Sequence, residues 1–104
     1  MLFRIEKINK LIKQQLLELF FIDFPNEFIT INFVFTKSDL SESKIFVSAS
    51  SGHQTIYNKL NLLAGKYRKI LAEKFYIRKM PRLIFEKDEM QGTVERIERI
   101  LDKK

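Results

Sequence analysis

The sequence predicts an α+β fold in which helices pack on a three-stranded mixed sheet. Apolar residues recur every three or four positions over residues 2–20 and 56–75, a spacing typical of amphipathic helices. They alternate with polar residues over 28–36 and 44–50, which is typical of strands. The 104 residues suffice for one hydrophobic core, so we expect a single domain over residues 1–104.

The first half of the chain should form a helix and a hairpin. The helix is expected over residues 2–20 and should end before Pro25, because the residue preceding a proline avoids helical geometry. Two strands, Phe28–Thr36 and Lys44–Ser50, flank a polar loop and should pair antiparallel. The pattern of the first strand assigns Ile29, Ile31, Phe33 and Phe35 to one face, and Thr30, Asn32 and Thr36 to the other.

The second half should form a divided helix, a strand and a last helix. Helical spacing runs through Ile56 and Leu63, and resumes beyond a kink that we expect at Leu63, Ala64 and Gly65. The kink is expected because glycine inside a helix costs about 1 kcal/mol relative to alanine. A short strand over 81–87 and a final helix over 90–101 complete the order α-β-β-α-kink-α-β-α.

Positive charge is concentrated in one part of the chain. The stretch 66–82, called the basic segment below, carries seven basic residues against Glu73. Its net charge therefore equals the +6 of the whole chain, and the remainder is neutral overall. Such a localised excess is typical of a surface that binds a polyanion such as RNA. The candidate RNA-binding residues are Lys66, Arg68, Lys69, Lys74, Tyr76, Arg78, Lys79 and Arg82.

Composition and motifs argue against most other functions. The chain has no cysteine and one histidine, so we expect no metal site, no cofactor and no thiol chemistry. It has no nucleophile elbow and no phosphate loop, so we expect no catalytic residue and no small-molecule substrate. No apolar run reaches about 18 residues, so we expect a cytoplasmic protein that does not enter a membrane.

The local sequence resembles a known family. Ser38-Asp39-Leu40, Ala49 to Gly52, Gly65 to Leu71 and Arg78 to Phe85, which leads to Asp88, are similar in order and spacing to the pattern of ribosome-binding factor A. The element order is similar to the bacterial type (type II) of KH domain. One departure is that Leu62 stands where the first glycine of the nucleotide-clamping GxxG loop would fall.

The resemblance implies a non-enzymatic factor that binds the small (30S) ribosomal subunit and its 16S rRNA late in maturation and supports growth in the cold. We expect a monomer. Tyr76 could stack on an unpaired base, although a lone aromatic more often lies over a helix end. Two alternatives stay open: a KH-like binder of single-stranded RNA or DNA unconnected to ribosomes, and a protein-interaction module using the phenylalanine-rich surface.

Overall fold

Residues 2–89 are described by a computed structural model, and they form the predicted α+β architecture. The elements are α1 (Leu2–Asp23), β1 (Ile29–Thr36), β2 (Glu42–Ala49), α2 (Gln54–Lys74) and β3 (Arg82–Lys87). The last predicted helix, residues 90–101, lies outside the described residues.

The three strands form one mixed sheet in the order β1-β2-β3. β1 and β2 pair antiparallel across a short loop, as the hairpin prediction requires. β3 pairs parallel to β2, with Glu42 opposite Arg82 and Val47 opposite Lys87. A parallel partner needs a long crossover, and α2 provides it, so the order of the elements determines the sheet topology.

The hydrophobic core lies between the two helices and one face of the sheet. Ile12 and Leu16 of α1, and Leu60 of α2, are almost completely buried in it. Three rings meet at its centre, because the ring centroids of Phe20, Tyr67 and Phe85 lie 5.9–6.3 Å apart. These rings connect α1, α2 and β3 into one packing unit, and tilted or edge-on aromatic pairs of this kind add to the stability that burial supplies.

The predicted faces of β1 are wrong beyond Ile31. The register with β2 shifts between Ile31 and Phe33, which marks a β-bulge at Asn32. One extra residue reverses the alternation of side chains. Val34 therefore packs against the core and Thr36 is buried, whereas the ring of Phe33 contacts that of Phe46 in β2, with the ring centroids 6.0 Å apart.

The predicted division into two helices at Leu63, Ala64 and Gly65 is wrong, because α2 runs through all three residues as one helix of 21 residues. A bend within that helix stays a prediction. Its buried residues Tyr57, Leu60, Tyr67 and Leu71 keep a single apolar stripe across Gly65. Packing of that stripe on the sheet outweighs the low helix propensity of one glycine. A Cβ atom at Gly65 would meet nothing within 4 Å, so no close approach requires glycine there.

Candidate nucleic-acid interface

The basic segment does not form one continuous stripe; the structure distributes its residues over three places. Lys66 and Lys69 lie on the outer face of α2, away from its buried stripe, and both are exposed. Leu62 lies on the same face and is 84% exposed. An apolar side chain flanked by lysines on an open helix face can contact nucleic acid as well as solvent.

Arg68 lies on the flank of α2 and has a structural bond. Its Nε donates to the carbonyl oxygen of Met80 at 3.0 Å, which ties the helix to the segment before β3. Asn61, two turns earlier, connects α2 to β3 through two hydrogen bonds of 2.9 Å with the backbone of Phe85. The bond of Arg68 uses one of five guanidinium donors, and the side chain is exposed, so it can also contact a phosphate.

Arg82 is engaged with a carboxylate. Its Nη2 lies 3.1 Å from Oε2 of Glu42, and Lys37 reaches the other oxygen of the same carboxylate at 3.5 Å. The pKa of Glu42 is lowered, chiefly by the hydrogen bond from Arg82. The charge of Arg82 is therefore partly compensated within the protein, and Arg82 is a weaker candidate for phosphate binding than Lys66 and Lys69 of α2.

The turn after α2 presents an aromatic ring to solvent. Tyr76 has a φ of 53° and follows Phe75, the C-cap residue of α2. The N–H of Ile77 donates to the carbonyl of Ala72 at 3.0 Å, the closing bond of a Schellman motif. Glycine is the usual residue at the left-handed position of this motif. The side chain of Tyr76 is 93% exposed, so it does not lie over the helix end.

Lys74, Arg78 and Lys79 are exposed on either side of this turn. The ammonium of Lys74 lies 5.9 Å from the ring centre of Phe75, a contact that keeps it near the end of α2. Lys79 interacts electrostatically with Asp39 in the β1–β2 loop. The pKa of Asp39 is lowered mainly by two hydrogen bonds from Ser41, with smaller contributions from nearby lysines that include Lys79.

An open groove separates this turn from the first part of α1, and it is called the α1 groove below. Its volume is about 540 Å³. Its charged lining comes from two distant parts of the chain, Arg4 and Lys7 of α1 and Arg78 and Lys79 of the turn. None of the lining residues that the structure describes is acidic. The groove also contains the second left-handed non-glycine residue of the described chain, Leu40, with a φ of 62°.

Sequence reasoning did not include Arg4 and Lys7 among the candidates. The neutral total outside the basic segment concealed them, because acidic residues elsewhere in the chain cancel the basic residues of α1 in a simple count. Their spacing of three residues, which places both on one side of a helix, was the available signal. It could not show that this side of α1 faces residues 76–79.

The described residues contain neither a cluster of metal ligands nor a membrane-spanning helix. Among residues 2–89, no group of three histidine, cysteine or acidic side chains is arranged to hold a metal ion. No helix in the same part of the chain is long and apolar enough to cross a membrane.

Comparisons with known proteins agree on one family. The family model of ribosome-binding factor A matches residues 4–101. The ribosome-binding factor A of Petrotoga mobilis is 32% identical over 98 residues, which cover 93% of this chain and 84% of that protein.

A crystal structure and a fitted homology model of a relative share the fold. The crystal structure of ribosome-binding factor A from Thermus thermophilus superposes with a TM-score of 0.61 at 18% identity, covering 79% of this chain and 89% of that one. A model of the Thermus thermophilus factor, fitted into a cryo-EM map of its complex with the 30S subunit, gives a TM-score of 0.64 at 20% identity, over 79% and 88% of the two chains.

Proposed function

The chain belongs to the ribosome-binding factor A family, and from that premise we propose that it binds the small ribosomal subunit and its 16S rRNA during late maturation of the subunit. It acts there as an assembly factor through binding, without catalysing a reaction. The observation that carries the proposal is the pair of exposed lysines, Lys66 and Lys69, on the outer face of α2 in a chain of this family.

The electrostatic argument follows from where the charges lie. Lysines on an open helix face neutralise phosphates and release condensed counterions, so affinity should fall steeply as salt rises. Such contacts position a protein on RNA but carry little sequence information. Selection of one place on the subunit must therefore come from the shape of the domain, whose two helices and sheet are held rigid by a shared core.

The unbroken α2 helix argues against the alternative of a KH-like protein that binds single-stranded RNA or DNA without the ribosome. KH domains grip single strands with a GxxG loop between two helices. Here Leu62, Gly65 and the residues between them lie within one helix, so the described chain has no such loop. Binding to structured rRNA on the subunit remains compatible with the exposed lysines of this helix.

The remaining features of the proposal follow from the family. We propose that the protein works in the cytoplasm as a monomer and supports ribosome assembly in the cold, when misfolded rRNA is slow to rearrange. A protein-interaction module is the second candidate from another class, favoured by the exposed Phe21, Ile22 and Phe28. Its binding would not depend on salt.

Co-sedimentation with isolated small subunits, large subunits and whole ribosomes at two salt concentrations tests the proposal. We expect salt-sensitive binding to small subunits alone. Lys66→Glu combined with Lys69→Glu should abolish that binding with little change in Tm. The control is Lys13→Glu, which changes an exposed lysine of α1 away from the outer face of α2. Binding of the folded double variant at wild-type affinity would contradict the role of α2. Binding that ignores salt would favour the interaction module.

A further inference from the structure

We propose that the α1 groove holds one unpaired nucleotide of the bound RNA, with its base against the ring of Tyr76 and its flanking phosphates on the cations of the two walls. The inference rests on the proposed function, since it names a contact within the same RNA complex. It adds a second contact surface, formed by α1 and the turn after α2, to the lysines on the outer face of α2.

The charge of the groove selects an anion. Arg4 and Lys7 stand on one wall, and Arg78 and Lys79 on the other. Cations on two walls suit a nucleic acid strand, in which one phosphate precedes and another follows each base, because each wall can then neutralise one of the two phosphates.

The floor of the groove is apolar. It consists of Ile8 and Leu40, which are buried, and Leu11 and Ile77, which are half-buried. A groove of about 540 Å³ falls in the size range of sites for small ligands, so it has room for a nucleobase. An apolar floor below a charged rim matches a nucleotide, whose base is flat and weakly polar and whose phosphate is charged.

Tyr76 supplies the face on which the base stacks. Its ring is 93% exposed, yet the Schellman bond between Ile77 and Ala72 fixes its backbone. The backbone that carries the ring is therefore fixed, and both faces of the ring are open to a stacking partner. A base reaches it only when it is unpaired, because the faces of a base inside a duplex are covered by its neighbours. The geometry thus favours a single-stranded or flipped-out nucleotide over a duplex.

A tryptophan reporter tests the stacking contact directly. The chain has no tryptophan, so Tyr76→Trp would carry the only indole. Titration with isolated small subunits should quench its fluorescence, because the base that stacks on the indole belongs to the rRNA of the bound subunit. The control is Phe21→Trp, an 83% exposed position about 21 Å along α1 from Lys7. Equal quenching at both positions, or none at position 76, would overturn the inference.

A second pair of variants measures the contribution to subunit binding. Tyr76→Gly removes the ring and keeps the left-handed backbone, so it should remain folded while affinity for small subunits falls about 5-fold to 150-fold, the range for one stacked base. Lys7→Gln should weaken binding and lower the magnitude of the log-log salt slope by about 1. Lys13→Gln, another exposed lysine of α1 but outside the groove, should do neither.

The two proposals fail in different ways. If the wild-type protein does not bind small subunits at all, the proposed function is wrong. If the wild type binds and the folded Tyr76→Gly and Lys7→Gln variants bind equally well, the function stands and the α1 groove is not a contact. Cross-linking of a photoreactive residue at position 76 to a ribosomal protein instead of rRNA would also overturn the inference.

Discussion

Replacing Tyr76 with glycine should stabilise the protein, which is an unusual expectation for the removal of an aromatic side chain. Tyr76 has a φ of 53°, a conformation that costs a residue with a Cβ atom roughly 1–2 kcal/mol. Its ring is 93% exposed, so almost no burial energy is lost with it. Glycine gains more freedom in the unfolded chain, which offsets about 0.5–1 kcal/mol of the benefit.

The net expectation is a gain of about 0–1.5 kcal/mol in the free energy of unfolding. A gain in the middle of this range raises Tm by several degrees in a domain of about 100 residues. Urea denaturation followed by circular dichroism measures it, and an unchanged m-value would show that the unfolded state is comparable. Leu40→Gly is the matched comparison, because Leu40 has a similar φ of 62° but a buried side chain, so its loss should destabilise the fold. A Tyr76→Gly variant less stable than the wild type would refute the reasoning.

Three further predictions concern a helix position, a buried hydrogen bond and a surface carboxylate. Gly65→Ala should raise the free energy of unfolding by about 1 kcal/mol, because the added Cβ meets nothing within 4 Å inside an unbroken helix; a loss of stability in urea would instead favour a kink. Tyr67→Phe should lower it by about 1–2 kcal/mol, since the hydroxyl donates to Asp23 at 2.7 Å, and a neutral result would show that water replaces this bond. The pKa of Glu27 is lowered, chiefly by the hydrogen bond from the hydroxyl of Ser50. The ionised carboxylate of Glu27 therefore stabilises the folded protein above its ordinary pKa of 4.5, and this stabilisation is lost as pH falls through the lowered pKa. Thermal melts of Glu27→Gln below about pH 5 should therefore depend less on pH than those of the wild type.

The architecture could be predicted because local patterns and topology agree. Apolar spacing identified α1, the hairpin and the crossover helix, and Pro81 marked the start of the last strand. The faces of β1 could not be predicted beyond Ile31, because no sequence signal distinguishes Asn32 in a bulge from Asn32 in a regular strand. The continuity of α2 was missed because a local propensity, that of Gly65, was weighed without the packing that overrides it.

The candidate interface was predictable in composition but not in arrangement. The charge count identified the basic residues, but the carboxylate of Glu42 that engages Arg82 lies 40 positions earlier in the chain. Likewise, Lys7 and Arg78 line the same groove only because of the way α1 packs on the sheet. Contacts between residues distant in sequence are decided by tertiary packing, so charge alone could indicate a surface but not its shape.

The bulge at Asn32 has a consequence for solubility at high concentration. β1 is an edge strand of the described sheet, and its sequence, ITINFVFT, is of the apolar, β-branched kind that readily joins strands of other molecules. The bulge interrupts the regular spacing of backbone N–H and C=O groups in the middle of that edge. A second copy of the strand can therefore pair along only half of its length. We expect this irregularity to keep the protein from assembling into intermolecular sheets, and a variant with a regular β1 to aggregate more readily.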